Sequence, residues 1–264
     1  MYLNLVHNLN VVHLRAVPND RRRRSRDQRR ARVLAAAQVV IDREGLSGLT
    51  MQAVADELDC AVGTLYTYFT SKAELEAGLQ AEAVSALGAS LLAAVGRWDV
   101  ELAGDDLPES LVALIRLTAF GSFWTAASVV LADECALARQ LLATRVGASN
   151  GAGRERSDVA AVVDDLLFRP ASLLTDAVVA GVLTPGDDQA RALVWLSGIN
   201  AVLDLDGLAS VDRHLFRVTN LSRLLTRSLM VGWGADPDQC EVADGHVERL
   251  AASGPMAPLP PAGG

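Results

Sequence analysis

The sequence predicts an all-α protein. Alanine- and leucine-rich stretches with apolar residues at spacings of three and four dominate from Arg29 to Trp233, which is typical of amphipathic helices. The alternation of apolar and polar residues that marks a half-buried strand is nowhere sustained. The 264 residues are 50% hydrophobic, which is enough for a substantial core. We therefore expect about nine helices, divided between a small N-terminal domain and a larger helical body.

Charge is distributed unevenly along the chain. The formal net charge is −8, yet residues 1–76 carry a net +2 and the remainder a net −10. Within the first part, Arg21 to Arg32 holds eight arginines and a single aspartate. A basic arm beside an acidic body suits a protein that docks one end on DNA. We expect Arg24, Arg26 and Arg29 to contact DNA phosphates or the minor groove; a solvated helix start is the alternative.

Residues 50–69 predict two short helices. Thr50 is a favourable N-cap for the first, which should run to about residue 58. The second should run from about Val62 to Phe69, with Leu65 and Phe69 turned inward because they lie four residues apart. Its other side chains then lie largely outside, and two tyrosines are more than so small a helix needs for its own core. These outward-facing residues are Val62, Gly63, Thr64, Tyr66, Thr67 and Tyr68.

A longer helix should follow at once. Ser71 and Glu74 have the spacing of a capping box, so this helix begins at about Lys72. A lysine at a helix N-terminus opposes the helix dipole, which is reasonable if a phosphate lies between them. Two short helices with the second exposed form the layout of a DNA-reading helix-turn-helix. We expect its DNA-contacting residues to be Thr50, Val62, Gly63, Thr64, Tyr66, Tyr68 and Lys72.

The run LTMQAVADELDCAVGTLYTYFTSKAELEAGL resembles the DNA-binding domain of the TetR family of bacterial repressors. The resemblance covers about residues 29–79 and is most specific in GTLYTYFTSKAEL. It implies that Gly63 and Thr64 open the recognition helix and that Tyr66 and Lys72 contact phosphates. It also implies a dimeric regulator that leaves its operator DNA when a small molecule enters the helical body.

Three residues depart from the family's pattern, although Leu65 and Phe69 match the pair that holds the recognition helix in place. Asp59 stands where the family usually has glycine, Cys60 where it has a small aliphatic residue, and Ala61 where a serine commonly caps the helix. Aspartate can adopt the left-handed turn conformation. Loss of the cap should cost the recognition helix about 1 kcal/mol.

The acidic remainder predicts a series of longer helices. The expected ranges are about 72–98, 109–125, 129–142, 158–183 with a bend at Pro170, 187–205 and 211–231. The helix over 187–205 is apolar nearly all round, so it must be covered on two sides. We expect it to form a four-helix bundle with the last helix and their counterparts in a second copy. The expected interface residues are Leu196, Ile199, Val218, Leu221, Leu225 and Leu229.

The helices between the DNA-binding domain and this bundle are the expected walls of an effector site. Their aromatic residues lie among aliphatic ones with scattered hydroxyls and no clear charged anchor, which favours a neutral hydrophobic ligand. Ordinary core packing is an equally good interpretation of any one of them. The expected ligand-binding residues are Thr118, Phe120, Ser122, Phe123, Trp124, Phe168 and Ser172.

These patterns divide the chain into four parts. Residues 1–26 should be a disordered extension with the basic arm, 27–76 the helix-turn-helix domain, and 77–250 the effector-binding and dimerisation domain. Residues 251–264, rich in proline and glycine, should form a flexible tail. A glycine-rich stretch, 146–157, should be a mobile loop.

Other classes of function receive little support. The sequence has no H-E-x-x-H, G-x-S-x-G or dinucleotide fingerprint, so we expect neither an enzyme nor a cofactor or metal site. Three widely spaced cysteines are typical of reduced thiols in a cytoplasmic protein. No apolar run reaches 18 residues without a charged residue, so no membrane span is expected. The predicted partners are operator DNA, a second copy and an unknown small molecule. An effector-independent silencer or architectural protein is the alternative, and a helical enzyme a weaker one.

Overall fold

The computed structural model describes residues 18–144, 168–205, 207, 210–212 and 215–259, and the regular structure of these residues is entirely helical. The predicted all-α class is therefore confirmed. The chain divides into two compact units, Met1–Leu75 and Glu76–Gly264. The helices are α1 (Pro18–Glu44), α2 (Met51–Glu57), α3 (Val62–Leu65), α4 (Lys72–Leu102), α5 (Glu109–Val130), α6 (Ala132–Thr144), α7 (residues 168–179), α8 (Asp188–Leu203), α9 (Val218–Gly232) and α10 (Pro237–Ser253).

The first unit is built on one face of α1. This face consists of five apolar residues, all of them buried: Val33, Leu34, Ala37, Val40 and Ile41. The helix begins at Pro18, so its arginines are helical and do not form the disordered arm that was expected. The run of helix-favouring arginines continues α1 towards the N-terminus without a break. The helix therefore starts before residue 27, the expected start of the helix-turn-helix domain. Most of the predicted N-terminal extension, residues 1–17, lies outside the described residues.

The second unit is organised around α5. Thirteen of its 22 residues are buried, and α8, α9 and α10 all pack against it. Gly121 allows α9 to approach α5 closely, because a Cβ atom at this position would lie 2.6 Å from Thr226 Oγ1. A similar close approach joins α8 to α9, where a Cβ on Gly198 would lie 2.9 Å from Leu225 Cδ2.

Residues 237–253 form a helix that the sequence analysis did not predict. The Asp236 carboxylate accepts hydrogen bonds from the backbone of Asp238 at 2.8 Å and of Gln239 at 3.1 Å, and Pro237 occupies the first turn. These are good start signals for a helix. Its inward face consists of Cys240, Ala243, Val247 and Leu250, all of them buried.

The segment after α10 is packed against the second unit and is not the loose tail that was expected. Arg97 of α4 donates hydrogen bonds to the carbonyl oxygens of Gly254 at 3.3 Å and Pro255 at 3.0 Å. Met256 and Ala257 are buried. Ser90, also on α4, donates to Pro258 O at 2.5 Å. The prediction for 260–264 lies outside the described residues.

Other boundaries differ modestly from those expected. Helix α5 extends to Val130, five residues further than predicted, and α9 begins at Val218 rather than near 211. Residues 158–167 of the bent helix predicted for 158–183 lie outside the described residues, but residues 168–179 are helical with Pro170 buried among them. The predicted glycine-rich loop, 146–157, also lies outside them.

Two helices, Lys72–Leu102 and Glu109–Val130, are long and apolar enough to cross a membrane by length and composition alone. Half of the apolar window of the first and 67% of that of the second are buried inside the protein. The burial of α5 on several sides accounts for its apolar composition without a lipid environment.

The close approach at Gly121 predicts opposite effects of alanine at two glycines. Gly121→Ala should lower the free energy of unfolding by about 1–3 kcal/mol, because the stiff, β-branched Thr226 side chain cannot move away from the added methyl group. Gly96→Ala, on α4 where no atom lies within 4 Å of the added Cβ, should raise it by about 0.5–1 kcal/mol. Denaturant unfolding monitored by circular dichroism measures both, and equal effects would contradict the close packing.

Candidate DNA-binding surface and effector cavity

Helix α2 and the turn after it are fixed by local hydrogen bonding. Thr50 Oγ1 accepts a hydrogen bond from Ala53 N at 3.0 Å, which caps α2 as expected. Asp59 has a φ of 48°, so it adopts the left-handed conformation of the turn. Ala61 precedes α3 without any side-chain cap. Because an uncapped start leaves backbone donors of α3 unpaired within the helix, the helix depends on its packing for stability.

Helix α3 is held by two buried side chains and exposes the others. Leu65 and Phe69 are 1% and 0% exposed, respectively. Gly63 and Thr64 are exposed and Tyr66 is 49% exposed, whereas Val62 is half-buried. The regular helix ends at Leu65, earlier than predicted, and continues as a turn in which the amides of Tyr68 and Phe69 both donate to Leu65 O. The outward side of this short element is therefore small and polar, with one prominent tyrosine.

The start of α4 carries a modified capping box. Ser71 Oγ accepts a hydrogen bond from Glu74 N at 3.1 Å. The Glu74 carboxylate reaches back to Thr70, accepting from its amide at 2.6 Å and from its hydroxyl at 2.8 Å. Lys72 is exposed in the first turn of the helix. The cap fixes where this lysine leaves the helix.

Arg30 joins α1 to the junction between α3 and α4. Its guanidinium carbon lies 4.1 Å from the centre of the Phe69 ring, and Nη1 donates to Tyr68 O at 3.1 Å and to Glu74 Oε1 at 3.3 Å. Sequence reasoning missed this role, since the contact spans 38 to 44 residues and leaves no local pattern. The cation–π contact and the two hydrogen bonds position α3 relative to α1.

Ionisation of Glu74 is tied to this junction. Partial burial of the carboxyl opposes its ionisation, but the hydrogen bonds from Thr70 and Arg30 together hold its pKa below the ordinary value of 4.5. A carboxylate with a lowered pKa contributes stability at neutral pH, and that stability is lost as the pH falls through the folded-state pKa.

The arginines of α1 present a basic surface beside α3. Arg24, Arg26 and Arg29 are exposed. Arg29 Nη1 lies 3.2 Å from Tyr68 Oη, and this hydrogen bond lowers the pKa of the Tyr68 hydroxyl. The structure thus brings Arg29 and Tyr68 together.

The second unit contains a cavity of about 330 Å³ between α5 and α9. Thr118 and Ser122, two of the residues predicted to bind a ligand, line it. The α9 wall of the cavity and the residue contributed by the segment after α10 were not predicted, because their burial depends on how α9 and that segment pack. The other lining residues are Gly121, Thr125, Ala126, Val129, Val218, Thr219, Ser222, Arg223, Thr226 and Met256.

The remaining residues predicted to bind a ligand lie elsewhere. Phe120 packs against Phe123, Trp124 and Trp195, with its ring centre 4.7 Å from that of Trp195. All four are core residues with almost no exposed surface. Phe168 is 63% exposed on α7, and Ser172, half-buried on the same helix, is not among the lining residues.

The residues predicted to form a dimer interface fall into two groups. Leu196 and Ile199 have no exposed surface within one chain, because they pack into the core of their own subunit. They can support an interface only indirectly. Val218, Leu221, Leu225 and Leu229 of α9 are half-buried. The exposed apolar residues of α8 and α9 are Leu193, Val194, Leu224 and Val231.

Metal ligation has no support among the described residues, where no group of three or more His, Cys, Asp or Glu side chains is placed to hold an ion. The three cysteines are free thiols. Burial raises the pKa of the Cys135 thiol to about 12, which makes it unreactive at neutral pH.

Comparison with known proteins gives matches for the N-terminal part. The sequence model of the tetR family of bacterial regulatory proteins matches residues 33–77. Over 61 residues the chain is 46% identical to the HTH-type transcriptional repressor KstR of Mycobacterium tuberculosis, and 44% identical to KstR of Mycolicibacterium smegmatis. These matches cover 23% of this chain and 24% and 26% of the two relatives. The chain thus spans about a quarter of the length of the curated relatives it matches.

A solved structure matches most of the chain. RolR in complex with resorcinol superposes with a TM-score of 0.54 at 16% sequence identity, covering 84% of this chain and 95% of that one. At this identity the likeness establishes the fold alone: an N-terminal helix-turn-helix followed by a helical domain. The named relatives are transcriptional repressors, and the matching sequence model is that of a family of regulatory proteins.

The Arg30 junction predicts an acid-sensitive contribution of Glu74 to stability. Glu74→Gln should lower the melting temperature at pH 7. The difference from wild type should shrink as the pH falls below 4.5, the ordinary pKa of the carboxyl in the unfolded chain, and on through the lower pKa of the folded state. Thermal melts from pH 7 to pH 3 measure this difference. Asp106→Asn, an exposed control, should show no such difference, and a Glu74→Gln effect that stayed constant with pH would contradict the prediction.

Proposed function

We propose that this chain, whose residues 33–77 belong to the TetR family of bacterial regulatory proteins, is a homodimeric transcriptional repressor that a small molecule releases from its operator. The proposal places the protein in the bacterial cytoplasm, associated with DNA, without a cofactor and without a membrane. One observation carries it above all. The short helix α3 is anchored by Leu65 and Phe69 and turns a small polar surface outward.

The outward surface of α3 suits the major groove. Gly63 adds no side chain at the start of the helix, so the backbone can come close to base edges, and Val62 lies beside it. Thr64, Tyr66 and Tyr68 offer hydroxyls that can reach phosphates on either side. In this assignment Val62 and Gly63 read bases, while the hydroxyl residues set register and orientation.

Cationic side chains on α4 and α1 extend this surface. Lys72 leaves the first turn of α4, where backbone amides also point outward and attract a phosphate. Arg24, Arg26 and Arg29 form the exposed side of α1, and Thr50 lies at the start of α2. Because each neutralised phosphate releases counterions, binding through these residues should depend strongly on salt.

Both DNA geometry and the second unit support a dimer. A two-fold dimer places two recognition helices about 34–36 Å apart, matching successive major grooves on one side of DNA. Helix α8 was predicted to be covered on two sides. Within one chain this cover is incomplete, because Leu193 and Val194 are 43% and 55% exposed. With Leu224 and Val231 of α9 they offer an apolar face for a second copy.

The cavity favours a ligand-responsive repressor over an effector-independent silencer. A plain dimerisation scaffold has no need of an internal space of about 330 Å³, a size within the usual range for small-molecule sites. RolR, which shares the fold, has been solved with resorcinol. A ligand that prefers the DNA-free arrangement would weaken operator affinity by about 5- to 150-fold, the usual range of such coupling. We assign the transmission to α4, which starts beside the DNA-binding residues and continues into the second unit.

The DNA-binding assignment predicts which substitutions weaken operator binding. The operator sequence can be identified by mixing the full-length protein with random DNA duplexes and recovering those that bind. Tyr66→Ala with Lys72→Ala should weaken its affinity by about tenfold or more, since bonds to phosphates are charge-assisted. Lys72→Ala alone removes one cation from a phosphate and should flatten the log–log salt dependence by about 0.9. Val62→Gln should instead change the preferred sequence. Mobility-shift titrations measure all three, and unchanged affinity in the double variant would refute the assignment.

The dimer assignment predicts the effect of charge on the exposed face of α8 and α9. Val194→Glu with Leu224→Glu should yield monomers, because burying two unpaired carboxylates is unfavourable. Val179→Glu, at a position 81% exposed on α7, is the matched control and should remain dimeric. Light scattering on size-exclusion chromatography distinguishes the states. A monomeric wild type, or a doubly substituted protein that stays dimeric, would contradict the proposal.

A further inference from the structure

The cavity between α5 and α9 has apolar walls with hydroxyl groups at fixed places. Apolar lining comes from Ala126, Val129, Val218 and Met256, and hydroxyls project from both helices. At one end Val129 is 78% exposed, so the cavity reaches the surface there. Such a site selects its ligand by shape and by a few directed hydrogen bonds.

Three of the hydroxyl groups are already engaged. Thr118 Oγ1 donates to Leu114 O at 3.0 Å, and Thr125 Oγ1 donates to Gly121 O at 3.1 Å, each within its own helix. Thr226 Oγ1 accepts from the indole nitrogen of Trp195 at 3.1 Å. The oxygens of Thr118 and Thr125 keep lone pairs, but their hydrogens are committed to α5.

Ser222 differs from these three. Its side chain lies in the α9 wall, the residue is only 2% exposed, and its Oγ has no hydrogen-bond partner among the described residues. A buried hydroxyl without a partner is unfavourable, so such groups are few in native proteins. A hydroxyl can both donate and accept, so the group that satisfies Ser222 best is one that can do both.

The charge around the cavity argues against an anionic ligand. Arg223 is the one lining residue with a formal charge, and its Nη1 lies 2.9 Å from Glu248 Oε1 on α10. This carboxylate already neutralises the arginine. A ligand carboxylate entering here would meet an exposed arginine whose charge is already balanced, so it would gain little from this ion pair.

We propose that this cavity binds a neutral, mainly apolar molecule through an alcohol or phenol hydroxyl that exchanges hydrogen bonds with Ser222. The inference rests on the proposed function, because it assigns the effector site of that repressor and the chemical class of the effector. The apolar body of the ligand contacts the alanine, valine and methionine side chains, and its hydroxyl completes the hydrogen bonding of the α9 wall.

Thymol and p-cymene test the proposal directly, because they share one carbon skeleton and differ only in a hydroxyl. The Kd of each for the full chain follows from the dependence of the melting temperature on its concentration. Wild type should bind thymol about 2- to 12-fold more tightly than p-cymene, the effect of one net hydrogen bond. Ser222→Ala should abolish this preference by weakening thymol alone.

Ser228→Ala is the matched control, since it removes the same hydroxyl from an exposed position of α9. It should keep the wild-type preference. Ser122→Trp, which fills the cavity, should prevent binding of both compounds. The inference is overturned if wild type binds the two compounds equally, if neither binds, or if the preference for thymol survives Ser222→Ala. None of these ligand-binding measurements uses DNA. If the protein failed to bind an operator, the proposed repressor would be refuted, but the measured preference for thymol would stand.

Discussion

Removing α5 from water is the constraint on which the second unit depends. Leu117 to Ala132 contains no charged residue, and a helix with no polar face has no stable position at a surface. Helices α8, α9 and α10 pack around it. Each of them covers part of the α5 surface. The arrangement of the whole unit is therefore dictated by one helix that cannot be exposed.

The same constraint explains why the helices closest to α5 are joined by small residues. Gly121 and Gly198 remove side-chain volume where α9 crosses its two neighbours. Close approach at these points leaves the larger side chains to fill the space beside them. Beside the contact of Gly121 with Thr226, hydroxyl-bearing and small residues such as Thr118 fill the space between α5 and α9 incompletely. The cavity is the space that remains.

Local signals in the sequence were sufficient for most of the first unit. The Thr50 cap and the anchoring pair Leu65 and Phe69 each depend on residues within a few positions of one another, so they could be predicted. Arg30 could not, because its three contacts form only after α1 has packed beside the start of α4. Sequence patterns record local geometry well and long-range contacts hardly at all.

The second unit shows the opposite balance. Most of its helices were predicted, but of the polar residues that line the cavity only Thr118 and Ser122 were predicted to bind a ligand. Ser222 belongs to the polar side of the sequence pattern and is nevertheless buried, because α5 and α9 approach each other so closely. Helix α10 was missed although Asp236 and Pro237 carry clear start signals, since charged residues interrupt its apolar positions.

Met256 lines the cavity from a segment that follows the last helix and is held by Arg97 and by Ser90. The shape of the cavity is thus partly determined by a few residues outside the helical framework. Met256 and Ala257 also belong to the buried core around α5, so a change in this segment alters the cavity and the neighbouring packing together. In the proposed repressor, ligand specificity and stability are therefore coupled at this segment.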